Sequence, residues 1–312
     1  MSGASKPVDL LAPALQGVEA WVDYLAGVEL PVLDRTASEL AAFERDLDRV
    51  TGPRLSALTL HDPMMTLKVL QYLQVHRPPR LSLDITTIEH AIMMLGITRF
   101  FQHFGKLSTL QQTLGGCQAS SYGARRVLYR ARHAALYARD WARLRHDIEV
   151  DELCIAALLH DLAEMLLWCF APALPQKIEA LQAQSPMLSS HDAEVQVLGF
   201  PLIELQLQLA KRWHLPPLLH KLMDDEHAET PRVRTVALAV RFARHVFSGW
   251  DHPALPGDYA AIRQQLDLTA REIEDSVRRV TIAAAHEWLW YGATPAAALW
   301  PLLPEAPQQS DG

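Results

Sequence analysis

The segment CIAALLHDLAEMLLW, from Cys154 to Trp168, places an ionisable pair inside an apolar helix. Its apolar residues surround His160 and Asp161 on both sides, with the three- and four-residue spacing of a buried helix. A carboxylate beside an imidazole in such surroundings is costly unless it is paired, hydrogen-bonded or bound to a cation. The segment therefore predicts a helical core that contains a partnered His–Asp pair.

The dipeptide His-Asp is not specific by itself, because it recurs along the chain. Three further copies lie in polar or capping contexts: His61-Asp62, His146-Asp147 and His191-Asp192. Asp62 precedes Pro63, which is the order of an N-cap followed by proline at the first helical position. Only His160-Asp161 has the flanks of a buried pair.

Outward from this segment, helical spacing recurs along most of the chain, and the alternation typical of strands is scarce. Prolines, rather than the 14 glycines, supply most of the breaks. The clearest helical stretches are Ile88–Phe104, Arg125–Arg145, Asp151–Phe170, Pro201–Trp213 and Arg232–Phe247. We therefore predict an all-α protein of roughly a dozen helices.

The composition of the 312 residues excludes several classes of protein. A net charge of -7 argues against a binder of duplex nucleic acid. No uninterrupted apolar run reaches the length of about 18 to 20 residues that spans a membrane, and the N-terminus lacks the order of a signal peptide. The 3 cysteines form no CxxC pair, which fits a reducing cytoplasm. A soluble cytoplasmic protein without a membrane segment is predicted.

Changes in composition divide the chain into four parts. We predict a flexible tail at 1–17 and a helical body at 18–250, with a seam between about 116 and about 120. A helical appendage is predicted at 256–302, and a disordered Pro/Gln/Ser tail at 303–312. Nothing in the sequence indicates the oligomeric state.

A second histidine is a candidate partner of the buried pair. Tyr129, His133 and Tyr137 follow one another at four-residue steps, so they share one helix face. A histidine facing His160-Asp161 is a plausible part of a metal site, because imidazole and carboxylate both suit divalent metals. The simpler alternative, which we favour, is a partly buried His133 that is hydrogen-bonded to a neighbour.

Five segments in the same order resemble the HDOD family, the "HD-related output domain" of bacterial signalling. Together they cover about 20–250 and match the family's motifs "LP", "DPxLxxKVL", "AIxxLGxxRL", "H…LLHDxG" and "LGx…LLxxWxLP". They are LPVLDRTASEL (Leu30–Leu40), HDPMMTLKVLQYLQ (His61–Gln74), IEHAIMMLGITRF (Ile88–Phe100), His133 with LLHDLAE, and LGFPLIELQLQLAKRWHLP (Leu198–Pro216). The resemblance implies a multi-helical HD-like bundle with an N-terminal helical subdomain and a C-terminal helical appendage.

The related HD phosphohydrolases have an H…HD…D set of metal ligands, and the match here is incomplete. By this resemblance His133, His160 and Asp161 occupy the first three positions. The final Asp should fall in the helix VALAVRFARHV, which contains no acid and offers Arg241 and Arg244 instead. A nearby guanidinium opposes binding of a divalent cation.

Further departures concern smaller motifs. The family's paired histidines correspond to Glu226-His227, and the glycine and lysine that often follow HD are Ala163 and Glu164. The resemblance therefore implies a vestigial HD motif with no metal, no cofactor and no catalytic residue.

Three functions remain open. The first is a non-enzymatic regulator that acts through signalling proteins or a small nucleotide-like ligand. The second is a metal-dependent phosphohydrolase or cyclic-nucleotide phosphodiesterase, with a replacement ligand such as His227, Glu226 or Asp192. The third is a nucleotide-binding pseudoenzyme that contacts phosphate through Arg241 and Arg244.

Two groups of side chains could serve a partner or the fold. Seven arginines crowd one helix, where we favour a solvated face paired with local acids over a phosphate site: Arg125, Arg126, Arg130, Arg132, Arg139, Arg143 and Arg145. Near the C-terminus we favour aromatic residues that hold the appendage to the body over a partner surface: Trp288, Trp290, Tyr291 and Trp300.

Overall fold

A computed structural model describes residues 15–76, 86–185, 187–224 and 229–300. The regular elements in these ranges are helices, apart from one isolated parallel bridge between Val32 and Thr109. The prediction of an all-α protein is confirmed. The predicted tail at 303–312 and most of the predicted tail at 1–17 lie outside the described residues.

The N-terminal part contains seven helices, and its buried core residues include Leu55, Met64 and Phe100. In chain order they are α1 (Val18–Ala26), α2 (Asp34–Glu44), α3 (Gly52–Leu60), α4 (Pro63–His76), α5 (Ile88–Leu95), α6 (Ile97–Phe104) and α7 (Leu110–Thr113). The predicted helix over Ile88–Phe104 is interrupted at Gly96, whose φ of 78° is accessible to glycine at little cost.

Asp62 caps α4 as its sequence predicts. Its Oδ1 accepts hydrogen bonds from the backbone N–H groups of Met64 and Met65 at 2.9 and 3.2 Å. Its Oδ2 accepts from the backbone N–H of Leu33 at 2.7 Å. The cap therefore also ties α4 to the segment that enters α2.

The HD-like part is built around one long helix. Its helices are α8 (Gln118–Leu144), α9 (Val150–Leu159), α10 (Leu162–Phe170), α11 (Ala173–Gln184), α12 (Ser190–Leu198), α13 (Leu202–Arg212), α14 (Pro217–Leu222) and α15 (Pro231–Ser248). Helix α8 packs against α9, α10 and α15, so three helices bring side chains to its central turns.

The segment Cys154–Trp168 lies in the buried core of the fold. Val150–Phe170, which comprises α9 and α10, has a mean hydropathy of 1.7 and enough length to cross a membrane. However, 94% of its most apolar window is buried inside the protein. Such burial is typical of a core helix pair in a globular protein.

The C-terminal appendage packs along α8 and α15. It consists of α16 (Leu255–Leu266), α17 (Ala270–Ala285) and α18 (Trp288–Tyr291). Three of the four predicted aromatic residues stack on the body: Trp290 on His61, Tyr291 on Tyr129 and Trp300 on Trp250, with centroid distances of 4.7, 4.5 and 4.3 Å. These contacts confirm the predicted attachment for those three residues, whereas Trp288 is half exposed.

A buried ion pair supports the same attachment. Arg132 of α8 donates from Nε and Nη2 to the two carboxylate oxygens of Glu287, both at 2.8 Å. Burial alone would raise the pKa of Glu287, but hydrogen bonds from Arg132 and His61 hold this pKa well below its usual value. This bidentate guanidinium–carboxylate geometry fixes the relative orientation of the two side chains and also pairs their charges.

Candidate functional site: an arginine-neutralised HD pair

Two arginines from separate helices hold the carboxylate of Asp161. Asp161 lies in the turn between α9 and α10, and its side chain is 3% exposed. Arg130 of α8 donates to Oδ2 from Nη2 at 2.6 Å and from Nε at 3.2 Å. Arg244 of α15 donates from Nη2 to Oδ1 and from Nε to Oδ2 at 3.5 Å. Both carboxylate oxygens therefore have a guanidinium partner.

Glu164, one turn further along α10, also pairs with Arg130. Its Oε2 accepts from Arg130 Nη2 at 2.5 Å. Arg130, Asp161, Glu164 and Arg244 together form what we call the ion-pair group. Burial alone would raise the pKa of Asp161, but the charges of Arg244 and Arg130 hold this pKa well below its usual value. Asp161 is thus ionised at neutral pH, and cations from the chain itself balance its charge.

His133 lies in an aromatic environment, and its ring nitrogens make no hydrogen bond to His160 or Asp161. Its ring packs edge-to-face on Tyr129 and Phe247, at centroid distances of 4.7 and 4.8 Å. Both ring nitrogens are buried with no hydrogen-bond partner among the described residues. Burial lowers the pKa of His133 to about 3, so the ring is neutral at physiological pH.

The expected hydrogen bond of His133 to a neighbour is therefore wrong. Arg130 stands one turn earlier on the same face of α8, and it is this longer side chain that reaches Asp161.

The residues present do not fit a divalent metal ion. His160 is buried and places Nδ1 3.4 Å from Asp161 Oδ1, but both carboxylate oxygens already accept from guanidinium groups. In the part of the chain that the structure describes, no three His, Cys, Asp or Glu side chains come together as a possible metal site. The geometry instead suits an internal ion pair, and the vestigial HD motif implied by the resemblance stays a prediction.

The other predicted site residues lie elsewhere or outside the described ranges. Placing Arg241 at the position of the missing acid is wrong, because it donates from Nε to Asp258 of α16 at 2.8 Å. Arg244 alone, one turn further along α15, takes that position. Asp192 stays on the surface, with its side chain 62% exposed and bonded to Ser189. Glu226 and His227 lie outside the described residues.

The expected solvated arginine face is correct for some members of the group only. Arg125 and Arg126 are partly exposed and pair with Asp34 and Glu179. Arg132 is buried and the side chain of Arg130 is only 12% exposed. Their partners are distant in sequence: Asp161 and Glu164 for Arg130, Glu287 for Arg132. Sequence analysis thus missed the role of Arg130, although its three-residue spacing from His133 places both on one helix face.

Comparisons with known proteins agree with this architecture. The sequence profile of the HDOD domain matches residues 30–229. The response regulator MmoQ from Methylococcus capsulatus is similar in structure, with 18% identity, a TM-score of 0.59, and coverage of 81% of this chain and 99% of that chain. A virulence factor from Campylobacter jejuni is similar with 20% identity, a TM-score of 0.61, and coverage of 80% and 89%. The comparison with curated protein sequences gives no match.

The protein belongs to the HDOD domain family. The matched range includes Arg130 and Asp161 but ends before α15, so Arg244 lies outside it. The ion-pair group therefore joins the HDOD domain to the helix that follows it.

Proposed function

We propose that this protein is a non-enzymatic signal-transduction protein of the bacterial cytoplasm. It acts by binding a signalling protein or a small nucleotide-like ligand, and not by hydrolysis. The observation that carries the proposal is the pairing of Asp161 with Arg130 and Arg244. Membership of the HDOD family and a fold shared with a response regulator support a regulatory role.

Electrostatics explain why this arrangement favours binding over metal chemistry. Two unit charges about 4 Å apart interact by about 4 kcal/mol at an effective dielectric constant near 20, and a divalent ion doubles that value. An ion at Asp161 would be repelled by two guanidinium groups and would have to displace them from the carboxylate. The arginines thus bind the carboxylate at the position where HD hydrolases bind a metal.

Charge also limits the class of partner. The net charge of -7 disfavours duplex nucleic acid as a partner. The apolar helices α9 and α10 are buried in the protein core. A protein surface or a small polar ligand at the ion-pair group is therefore the partner we propose, without a membrane or a cofactor.

Metal analysis of the purified protein tests the proposal. After purification without chelator, we expect far less than one equivalent of iron, manganese or zinc per chain. We also expect no hydrolysis of bis-p-nitrophenyl phosphate with added Mn²⁺, because Asp161 has no oxygen free to bind the ion. Elemental analysis and absorbance of the released p-nitrophenol are the measurements.

The variant H160A provides the control for this experiment. Hydrolysis by the parent protein that disappears in H160A, together with one equivalent of metal, would contradict the proposal. Equal residual rates in parent and variant would mark a contaminating enzyme and leave the expected result in place.

A further inference from the structure

A small cavity lies directly beside the ion-pair group. It has a volume of about 190 Å³ and is lined by side chains of α10, α12, α13 and α15. Asp161, Glu164, Glu194, Gln206 and Arg244 are among the residues that line it. Since a water molecule in the liquid takes up about 30 Å³, the cavity has room for roughly six waters or one small oxyanion.

The cavity continues into a larger cleft. This cleft has a volume of about 400 Å³ and shares Glu164, Glu194 and Arg244 with the cavity. Arg126 and Arg130 of α8 line its opposite side. A ligand with one charged end can therefore place that end in the cavity and the remainder in the cleft.

Gln206 of α13 presents an unused donor in this cavity. The residue is 2% exposed, and its Nε2 has no hydrogen-bond partner among the described residues. Its Oε1 accepts from the backbone N–H of Ala163 at 3.5 Å, so the orientation of the amide is set by that contact. A buried donor without a partner destabilises the fold, and an acceptor supplied by a ligand would remove that cost.

Two guanidinium groups add further donors. Arg244 and Arg130 use Nε and Nη2 in their ion pairs, while Nη1 of each makes no hydrogen bond to a residue that the structure describes. Asp161 and Glu164 together balance the charges of the two guanidinium groups, and the spare N–H groups suit a hydrogen-bond acceptor.

The acids that line the cavity do not cancel this preference. Asp161 and Glu164 already accept from Arg130, so their negative charge is directed at the guanidinium. Burial raises the pKa of Glu194, and its Oε2 accepts from the backbone N–H of Leu202 at 2.8 Å.

We propose that the cavity binds a small oxyanion, the carboxylate or phosphate group of a signalling ligand, between the amide of Gln206 and the guanidinium of Arg244. This inference rests on the proposed function, because it gives the non-catalytic HD position a ligand of defined chemistry. The oxyanion accepts from Gln206 Nε2 and Arg244 Nη1, and the rest of the ligand extends along Arg126 in the cleft.

Isothermal titration calorimetry on the full chain tests this with three probes: inorganic phosphate, 5′-AMP and succinate. We expect at least one probe to bind at one site per chain. In Q206L its affinity should fall at least about tenfold, which corresponds to the loss of one hydrogen bond to a charged group. Tighter binding of phosphate and AMP identifies a phosphorylated ligand, and tighter binding of succinate identifies a carboxylate.

Q208L is the matched control, because Gln208 lies on the same helix outside the cavity and bonds to Glu204. The affinity of the Q208L protein for the same probe should stay within about twofold of the parent value. Q206L should fold, because it removes a polar group that has no partner. R244K keeps the positive charge but loses the guanidinium fork, so it gives a second test of the same site.

Absence of binding by all three probes would overturn the inference, as would equal affinities in Q206L and the parent protein. Metal analysis and the hydrolysis assay on the same samples keep the two proposals apart. Metal-dependent hydrolysis would refute the proposed function, whereas an inert protein that binds no probe would refute the oxyanion site alone.

Discussion

The variant D161N is expected to lower the free energy of unfolding by about 3 kcal/mol, since breaking one side of a buried ion pair typically costs about 3 to 5 kcal/mol. The amide has nearly the shape of the carboxylate, so the loss is one of charge and not of volume. Arg130 is only 12% exposed and would remain buried with Glu164 as its sole acid partner. Arg244 is 42% exposed and can turn to water, which places the expected loss at the lower end of the range.

Thermal unfolding with D192N as the control measures this effect. For a chain of this size, 3 kcal/mol corresponds to a decrease in melting temperature of about 6 °C. Asp192 also follows a histidine, but it lies exposed on α12, so D192N should shift melting by less than about 1 °C. Equal melting temperatures for D161N and the parent protein would show that the arginines do not depend on this carboxylate.

His133 should make the protein less stable in acid. Its ordinary pKa is 6.5 and burial lowers the pKa in the folded state to about 3, so the unfolded chain binds the proton first as the pH falls. Stability is therefore lost as the pH falls below 6.5, by about 3 kcal/mol between about pH 6.5 and about pH 4. The variant H133L has no such group and should lose about 3 kcal/mol less over this range.

Urea unfolding of both proteins across this pH range gives the comparison. Asp161 and Glu287 have lowered pKa values and lose their stabilising effect below the ordinary carboxylate range, so they act equally in both proteins. H286L, at an exposed histidine, should follow the parent curve. A parent curve that coincides with that of H133L would mean that water or a ligand satisfies the ring nitrogens of His133.

Several features of the fold could be predicted because they depend on neighbours in the sequence. The apolar flanks of His160-Asp161 indicated burial, and both side chains are buried. The order Asp62-Pro63 indicated an N-cap, since a cap needs only a carboxylate and the backbone N–H groups two and three residues further on. The break at Gly96 was missed because helical spacing continues through it, and only its positive φ reveals the end of α5.

The partners of the pair could not be predicted from such local patterns. Arg130 and Arg244 come from helices that precede and follow Asp161 by 31 and 83 residues, and their convergence depends on how α8 and α15 cross α10. Arg241 is an arginine on α15 like Arg244, yet it pairs with Asp258 of the appendage. Spacing alone does not decide which of two arginines one turn apart reaches a buried acid.

If two arginines take the place of a metal at Asp161, a titration of that carboxylate must show it. The measurement is the ¹³C chemical shift of the Asp161 carboxyl carbon, assigned by comparison with D161N, as a function of pH and of added Zn²⁺. We expect no movement of this signal between about pH 7 and about pH 4, and none on addition of Zn²⁺. A midpoint above about pH 4, or a shift that saturates at one equivalent of Zn²⁺, would contradict it.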